Sequence, residues 1–545
     1  MKTLVGALPK LMMLLFGLTL LSGVWLPVYS DEVMNKFYVS RFFLDAGQLT
    51  TFFPQCASSL GHAVAWVFYP AASILSLIFQ DMNPLGIRVS GVVGALVWFA
   101  LLAWWCSRQQ HGQWSWRFTL ILAFGAMGVV PYLWVMSRPE QFMLLPLLVF
   151  CVAALHGPEK EKWVQRTLLL MLMVVLLSVF FYVHPKSIFF TPFFLVVVWV
   201  GTRNFSVWVR GGLLIYTFVL AVQALADANT LSACQDAPVV REVLGSNVVN
   251  PGLLFENPYL FFRGLIKNLV YFFPNMGQHL IFSPTFQSGW LPPLEGSPSW
   301  LMLLNAVVWG AVCLFIALSH AAALIGLLFA IYRRSVTSPL LLAALLAAAD
   351  VLNAMLYNGQ NFYAAIQYVP IAMMISVLLF NESQGKAIAS WLPAWESKAA
   401  LMAAGLASLS LIALMSLVTP SLLRSADLQR AEIWGQPLSV PVFNTEAHMN
   451  AIREVGRMCH IPERSASFVV VDHMTYFVYR KNVRPVHVHY VSERAYGGDL
   501  LGKLIPFLKA HGSPGVVSRC DWIPGEMRGI EKVGEMGYCC VDLTE

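Results

Sequence analysis

The chain has 545 residues, of which 58% are hydrophobic and only 12% charged, and its mean hydropathy is +0.65. This composition is too apolar for a soluble protein of such length and indicates a protein that crosses a membrane several times. The net charge of +6 is modest and the basic residues cluster in short loops, which argues against a nucleic-acid-binding surface.

Eleven apolar stretches have the composition of membrane-spanning helices, which need about 20 residues. We expect the first to be an uncleaved helix rather than a signal peptide, because it is long and lacks a small-residue cleavage motif. The stretch 62–79 contains Pro70 and is predicted to lie at the interface or to re-enter the membrane. The predicted spans are 11–29, 86–106, 117–136, 141–156, 167–183, 187–201, 207–226, 301–331, 338–356, 362–380 and 399–419.

The orientation follows from Lys and Arg in alternating loops. Each loop predicted to be inside is basic, which agrees with the positive-inside rule and places the C-terminus outside. The outside segments would be 30–85, the short corners 137–140 and 184–186, the long loop 227–300, the corner 357–361, and everything after Pro420.

Two domains are predicted, a membrane module over 1–420 and a small extracytoplasmic α/β domain over 421–545. The module includes the outside loops 30–60 and 227–300, and the aromatic-rich second loop is predicted either to rest on the outer leaflet or to plug the helices. The C-terminal domain is predicted from strands at 467–471, 486–490, 515–517 and 538–541 and a helix at 498–511.

Nine cysteines form no C-x-x-C pair, so they do not indicate a zinc site. Six of them are predicted to lie outside, where disulfides are permitted, and their pairing stays open. These are Cys56, Cys234, Cys459, Cys520, Cys539 and Cys540.

The acidic pair Asp31 and Glu32 follows the first span directly. Glycosyl transfer with inversion needs a base that takes the proton of the attacking hydroxyl, and a partly desolvated carboxylate suits that role. The plainer interpretation is that the two acids only end the first helix. We predict that this pair is catalytic.

Basic residues in the next two outside corners depart from the positive-inside pattern. Arg138 and Glu140 share one corner, and His184 and Lys186 flank Pro185 in the next. Arg, Lys and His are suited to a phosphate leaving group, where negative charge develops. We predict that these four side chains bind the phosphate and sugar of a donor; a simple ion pair and a snorkelling lysine are the alternatives.

A third outside corner is neutral and polar, as expected for side chains that contact a sugar or an acceptor. Its residues are Tyr357, Asn358, Gln360, Asn361 and Tyr363, although an ordinary loop would look similar. Asp350 and Asn353 lie in the apolar span before it, and an acid inside a span is a candidate functional residue.

No nucleotide-binding, zinc-protease or nucleophile-elbow motif is present. No cofactor and no metal site are predicted, because a single acidic pair offers too few ligands to argue for a divalent cation.

The order of these elements resembles the GT-C superfamily of membrane glycosyltransferases. Within it, Arg138-Pro139-Glu140 followed by His184-Pro185 is similar to corners of the mycobacterial Emb-type arabinofuranosyltransferases and of the related enzyme that modifies type IV pilin. The resemblance covers the first 200 residues and the topology, and it identifies Asp31 with the family's base. This chain is shorter than the mycobacterial enzymes, and its tail resembles an α/β domain rather than their carbohydrate-binding modules.

The resemblance implies a multi-pass protein of the bacterial inner membrane with its active site on the periplasmic side. It would transfer a sugar, such as D-arabinofuranose, from a polyprenyl-phosphate donor to a glycan or to a protein such as pilin, with no nucleic-acid partner. The alternatives are an O-antigen ligase or polymerase, a lipid or sugar transporter, and a non-catalytic scaffold. A transporter would place its polar residues near the membrane midplane.

Overall fold

The computed structural model describes the chain in segments, and the statements below concern those segments. They are residues 2–29, 32–33, 42–45, 48–51, 81–108, 114–156, 163–183, 185–232, 248–277, 298–358, 364–382, 392–425, 432–433, 436–437, 439–464, 468–480, 484–487, 504–510 and 512–544.

The described part of the chain before residue 426 is mainly helical, and each predicted span has a helix at its position. The helices are α1 (Lys2–Ser22), α2 (Pro84–Ser107), α3 (Trp114–Gly125), α4 (Val130–Trp134), α5 (Pro139–His156), α6 (Trp163–Val183), α7 (Thr191–Gly201), α8 (Val207–Ser232), α9 (Leu253–Glu256), α10 (Pro258–Gly277), α11 (Ser299–Tyr332), α12 (Ser338–Leu356), α13 (Ala364–Glu382), α14 (Leu392–Ala413) and α15 (Thr419–Ser425). A 3-10 segment, Pro185–Phe190, precedes α7, and a π-helical segment, Leu414–Val418, follows α14.

Seven of the described helices are long and apolar enough to cross a membrane, and four shorter apolar helices account for the other predicted spans. The seven are Ala7–Trp25, Pro84–Ser107, Trp163–Phe181, Val207–Ala226, Ser299–Tyr332, Ser338–Leu356 and Ser397–Val418. The four are Trp116–Gly125, Glu140–His156, Lys186–Gly201 and Ile366–Asn381. The polytopic helical architecture predicted from the sequence is therefore confirmed.

Two predicted spans differ from the observed helices. The expected single helix 117–136 is wrong, because α3 ends at Gly125 and the chain turns through Gly128, whose φ of 61° lies in the left-handed region. The amide of Gly128 donates to Ser410 Oγ at 2.7 Å, which fixes this turn against α14. The first span does not reach residue 29, because α1 ends at Ser22 and Val28–Tyr29 forms strand β1.

Part of the long loop 227–300 is helical. α10 packs one face against α12, where Phe261 and Leu265 are buried beside Met355 and Leu356. Its other side exposes large apolar side chains, including Tyr259, Phe262, Ile266 and Val270. α10 is thus amphipathic, as expected for a segment that lies along a membrane boundary.

The C-terminal domain is built on a seven-stranded sheet of order β10-β11-β9-β7-β8-β2-β3. Its central pairs, β9-β7, β7-β8 and β8-β2, are parallel, and the outer pairs are antiparallel. The strands are β2 (Phe42–Asp45), β3 (Gln48–Thr51), β7 (Phe468–Val471), β8 (Arg484–His487), β9 (Gly515–Arg519), β10 (Lys532–Val533) and β11 (Tyr538–Asp542); the remaining short strands are β4 (Glu432–Ile433), β5 (Gln436–Pro437) and β6 (Ser439–Val440).

The predicted α/β character of this domain is confirmed. The predicted strands at 467–471, 515–517 and 538–541 are β7, β9 and β11, whereas β8 begins two residues before the predicted 486. The predicted helix 498–511 contains α18 (Leu504–Ala510), and the sequence analysis missed two helices, α16 (Thr445–Met458) and the short α17 (Tyr476–Tyr479).

The segment after α1 is joined to the C-terminal domain at three places. The hairpin β2-β3 adds two strands to its sheet, and β1 pairs with β6 in the register Val28–Val440. Arg480 donates from Nη1 to the carbonyl oxygen of Met82, just before α2, at 3.2 Å. The domain therefore covers the end of the helices at which α1 ends and α2 begins.

Two disulfides join residues of the C-terminal domain, Cys459 to Cys540 and Cys520 to Cys539. They pair four of the six cysteines predicted to lie outside, while Cys56 and Cys234 lie outside the described residues. The described free cysteines are Cys106, Cys151 and Cys313, all in predicted spans.

α2 lies directly on the turn at residues 135–137 because Gly91 has no side chain. A Cβ at this position would overlap the carbonyl oxygen of Val135 and lie 3.2 Å from the amide nitrogen of Ser137. Both of these are backbone atoms, so relief of the overlap would have to move α2 or the turn that leads into Arg138.

We predict that Gly91→Ala lowers the free energy of unfolding by about 1–3 kcal/mol, as overpacking does in a close-packed interior. Thermal unfolding of the purified protein in detergent measures this effect. Gly310→Ala is the matched control, because a Cβ at Gly310 of α11 would meet nothing within 4 Å. Equal melting temperatures for the two variants would contradict the close approach at Gly91.

Candidate active site

A buried ion pair joins Glu32 to Arg88 of α2, with both side chains 0% exposed and Arg88 Nη2 2.8 Å from Glu32 Oε2. Arg88 Nη1 also donates to Glu32 Oε1 at 3.0 Å. The guanidinium gives its remaining hydrogen bonds to three backbone carbonyls, those of Leu26 (2.8 Å), Pro27 (2.7 Å) and Val135 (3.0 Å). These contacts use all five N–H groups of the arginine.

The Glu32 carboxylate also accepts two backbone hydrogen bonds, from Tyr29 at 2.8 Å and from Ser137 at 2.6 Å. Glu32 therefore links the segment after α1 to the corner that begins α5. The prediction that Glu32 is catalytic stays a prediction, but its contacts favour a positioning role. They join Glu32, which follows Asp31 in the sequence, to the backbone of Ser137, which precedes Arg138.

Arg138 and Glu140 form a buried ion pair, with Arg138 Nε 3.2 Å from Glu140 Oε2. The corner has a recognisable helix start, because Pro139 takes the first position of α5 and Glu140 lies in its first turn. An ion pair is the plainer alternative given for these two residues, and their binding of a donor stays a prediction.

Lys186 is buried on the 3-10 segment that follows α6, and it lies near the same corner. Its electrostatic neighbours are the carboxylates of Glu140 and Asp350 and the guanidinium of Arg138. Its Nζ lies over the ring of Tyr357, 5.3 Å from the centroid, which is a cation–π distance. The structure thus brings two predicted basic residues together with Glu140 and Tyr357.

The corner after α12 is held from a second side by the 248–277 segment. Tyr357 bridges to Val248 in antiparallel fashion, and Asn268 Nδ2 of α10 donates to Asn358 Oδ1 and to the Met355 carbonyl oxygen, each at 2.9 Å. Asn358 is therefore engaged in packing α10 onto α12.

Five other predicted site residues, Asp31, His184, Gln360, Asn361 and Tyr363, lie outside the described residues. Their predicted roles are neither supported nor contradicted by a contact. Among the residues that are described, no three His, Cys, Asp or Glu side chains lie together in a way that could hold a metal ion.

Sequence reasoning missed a second buried polar cluster below this corner. His320 Nε2 of α11 lies 3.1 Å from Asp350 Oδ2, and Gln367 Nε2 of α13 donates to Asp350 Oδ1 at 2.7 Å. The sequence identifies Asp350 as an acid in a span, but it does not single out His320 or Gln367. One signal in the sequence could have found Arg88 and His320. Both are ionisable residues within apolar spans, and such residues usually have a polar partner.

Two solved structures resemble the whole chain at low identity. A crystal structure of ArnT from Cupriavidus metallidurans bound to undecaprenyl phosphate has a TM-score of 0.43 and 10% identity, and covers 99% of this chain and 98% of that chain. The apo form of the same protein has a TM-score of 0.44 and 11% identity, with the same coverage. No model of a protein family matches the sequence, and no curated protein matches it either. A likeness this distant assigns neither a family nor a function. The function must be inferred from the residues themselves.

The Arg88–Glu32 pair generates a direct prediction about stability. We expect Arg88→Met to lower the free energy of unfolding by about 3–5 kcal/mol, because it leaves a buried carboxylate without its charged partner. Thermal unfolding in detergent is again the measurement.

Arg108→Ala is the control, since Arg108 is an exposed arginine that caps the other end of the same helix. A loss of stability no larger in Arg88→Met than in this control would show that the pair does not hold the site together.

Proposed function

We propose that this protein is a membrane glycosyltransferase of the GT-C type that takes a sugar from a polyprenyl-phosphate donor. The observation that carries the proposal is the burial of Arg138 and Lys186, which interact electrostatically, at the start of two apolar helices. Arg offers a planar fork and Lys a compact charge, and both are suited to phosphate oxygens.

The position of the basic pair fits a phosphate that is attached to a lipid. The pair lies where α5 and the segment before α7 begin, so a phosphate there would sit at the ends of the helices. A polyprenyl chain could then extend along their apolar sides without crossing a polar region. A soluble sugar nucleotide would not need this placement.

In the proposed reaction, Asp31 accepts the proton of an acceptor hydroxyl as its oxygen attacks the anomeric carbon of the donor sugar. The bond between that carbon and the phosphate oxygen breaks, and the lipid phosphate leaves with the electron pair. Arg138, Lys186 and His184 stabilise the charge on the leaving oxygen, which grows in the transition state. Glu32 and Arg88 keep the backbone beside Asp31 in place, and Glu140 orients Arg138.

The finer points of the proposal are a D-arabinofuranose donor, a glycan or pilin acceptor, and a site on the periplasmic side of a bacterial inner membrane. The two disulfides of the C-terminal domain support an oxidising compartment for that side. The basic loops predicted to be inside support the same orientation. The C-terminal domain, which covers the end of the helices near the site, would present the acceptor.

Binding of the sugar-free lipid product tests the phosphate site. We expect Arg138→Gln and Lys186→Gln each to weaken binding of a short-chain polyprenyl phosphate by about 10- to 100-fold, as expected for the loss of a hydrogen bond to a charged group. Tryptophan fluorescence titration in detergent would give the dissociation constants.

Two controls complete this experiment. Lys267→Gln removes an exposed lysine of α10 and should bind as the wild type does. Arg138→Lys keeps the charge but loses the fork, and should fall between wild type and Arg138→Gln. Wild-type affinity in both folded Gln variants would refute a phosphate site at this corner.

A further inference from the structure

Two buried amide side chains beneath the phosphate corner have polar atoms with no protein partner. Three side-chain atoms have no hydrogen-bond partner among the described residues. They are Nδ2 and Oδ1 of Asn353 and Oε1 of Gln367. Asn353 is 0% exposed. Buried polar groups are nearly always hydrogen-bonded, so these atoms indicate that a bound molecule completes the site.

The ionisable residues beside these amides form a hydrogen-bonded pair. His320 Nδ1 lies 2.8 Å from the carbonyl oxygen of Ile316, and its Nε2 lies 3.1 Å from Asp350 Oδ2. Asp350 also accepts from Gln367 Nε2, so these contacts fix the position of the Gln367 amide.

Asp350, Asn353 and Tyr357 lie on one face of α12, since they are three, four and seven residues apart. At a rise of about 1.5 Å per residue, Asn353 lies about 6 Å below Tyr357 along the helix axis. Lys186 lies over the ring of Tyr357. Asn353 thus lies about one helical turn from the residue that Lys186 contacts, and Gln367 bonds to Asp350, an electrostatic neighbour of Lys186.

We propose that Asn353 and Gln367 bind hydroxyl groups of the donor sugar at a polar site between α11, α12 and α13. A hydroxyl both donates and accepts, which matches the free donors and acceptor of Asn353 and the free acceptor of Gln367. Amide groups suit the uncharged hydroxyls of a sugar, whereas the anionic phosphate is bound at Arg138 and Lys186. The two parts of the donor would thus be recognised by chemically different groups, a division that rests on the proposed function.

Asn353→Leu tests the polar site, because leucine has a similar volume and cannot form hydrogen bonds. The ligands are a short-chain polyprenyl phosphate without sugar and a panel of the same lipid carrying arabinofuranose, glucose or mannose. We expect Asn353→Leu to bind the sugar-free lipid as the wild type does. It should bind the panel member that the wild type binds most tightly about 3- to 10-fold more weakly, as expected for the loss of one or two hydrogen bonds.

The controls separate a sugar contact from a structural role. Ser376→Ala removes a buried hydroxyl of α13 that bonds only to its own helix, at Ala372 O, and should not distinguish the two lipids. Gln367→Leu should likewise weaken binding of the sugar-bearing lipid and leave binding of the sugar-free lipid unchanged. This second variant tests the inference if Asn353→Leu does not fold.

Equal effects of Asn353→Leu on both lipids, or an effect on neither, would overturn the inference and leave ordered water as the occupant of the polar site. Failure of the proposed function looks different, because the wild type itself would then bind neither lipid. In that case the inference falls together with the donor site.

Discussion

The geometry of the candidate site depends on one buried arginine. Arg88 binds both oxygens of Glu32 and three backbone carbonyls, and so joins the segment after α1 to the turn before α5. A buried charge of this kind is costly unless every hydrogen bond is made, and here all five donors are used. The absence of a side chain at Gly91 allows that turn to lie against α2. This connection holds the segment that contains Glu32 against the turn that leads into Arg138.

Much of the fold was predictable because a membrane imposes strong rules on a sequence. Span length and the requirement for internal hydrogen bonds made the helices visible in hydropathy alone. Gly128 and Pro131 break the helix expected over 117–136. Hydropathy does not reveal this break, because the residues around it are apolar. The pairing of β2 with β8, over 400 residues later, is a tertiary contact, and no local pattern near Phe42 indicates it.

The proximity of candidate residues was predictable where they lie in short corners between spans. Arg138, Glu140, Lys186 and Tyr357 were predicted from charge and polarity, and the structure brings them together. Arg88, His320 and Gln367 were missed because each lies inside an apolar helix, where hydropathy averages it away. Their partners come from other helices, and such pairing cannot be read from one sequence.

Donor turnover by the purified protein tests the central claim most directly. The wild type and Asp31→Asn would be given the panel of polyprenyl-phosphate sugars with an added glycan or pilin-type peptide acceptor, and release of free polyprenyl phosphate would be followed by mass spectrometry. The account predicts release from one donor by the wild type and its loss in Asp31→Asn, since an amide cannot accept the proton. Absence of release from every donor by folded protein, or undiminished release by Asp31→Asn, would contradict it.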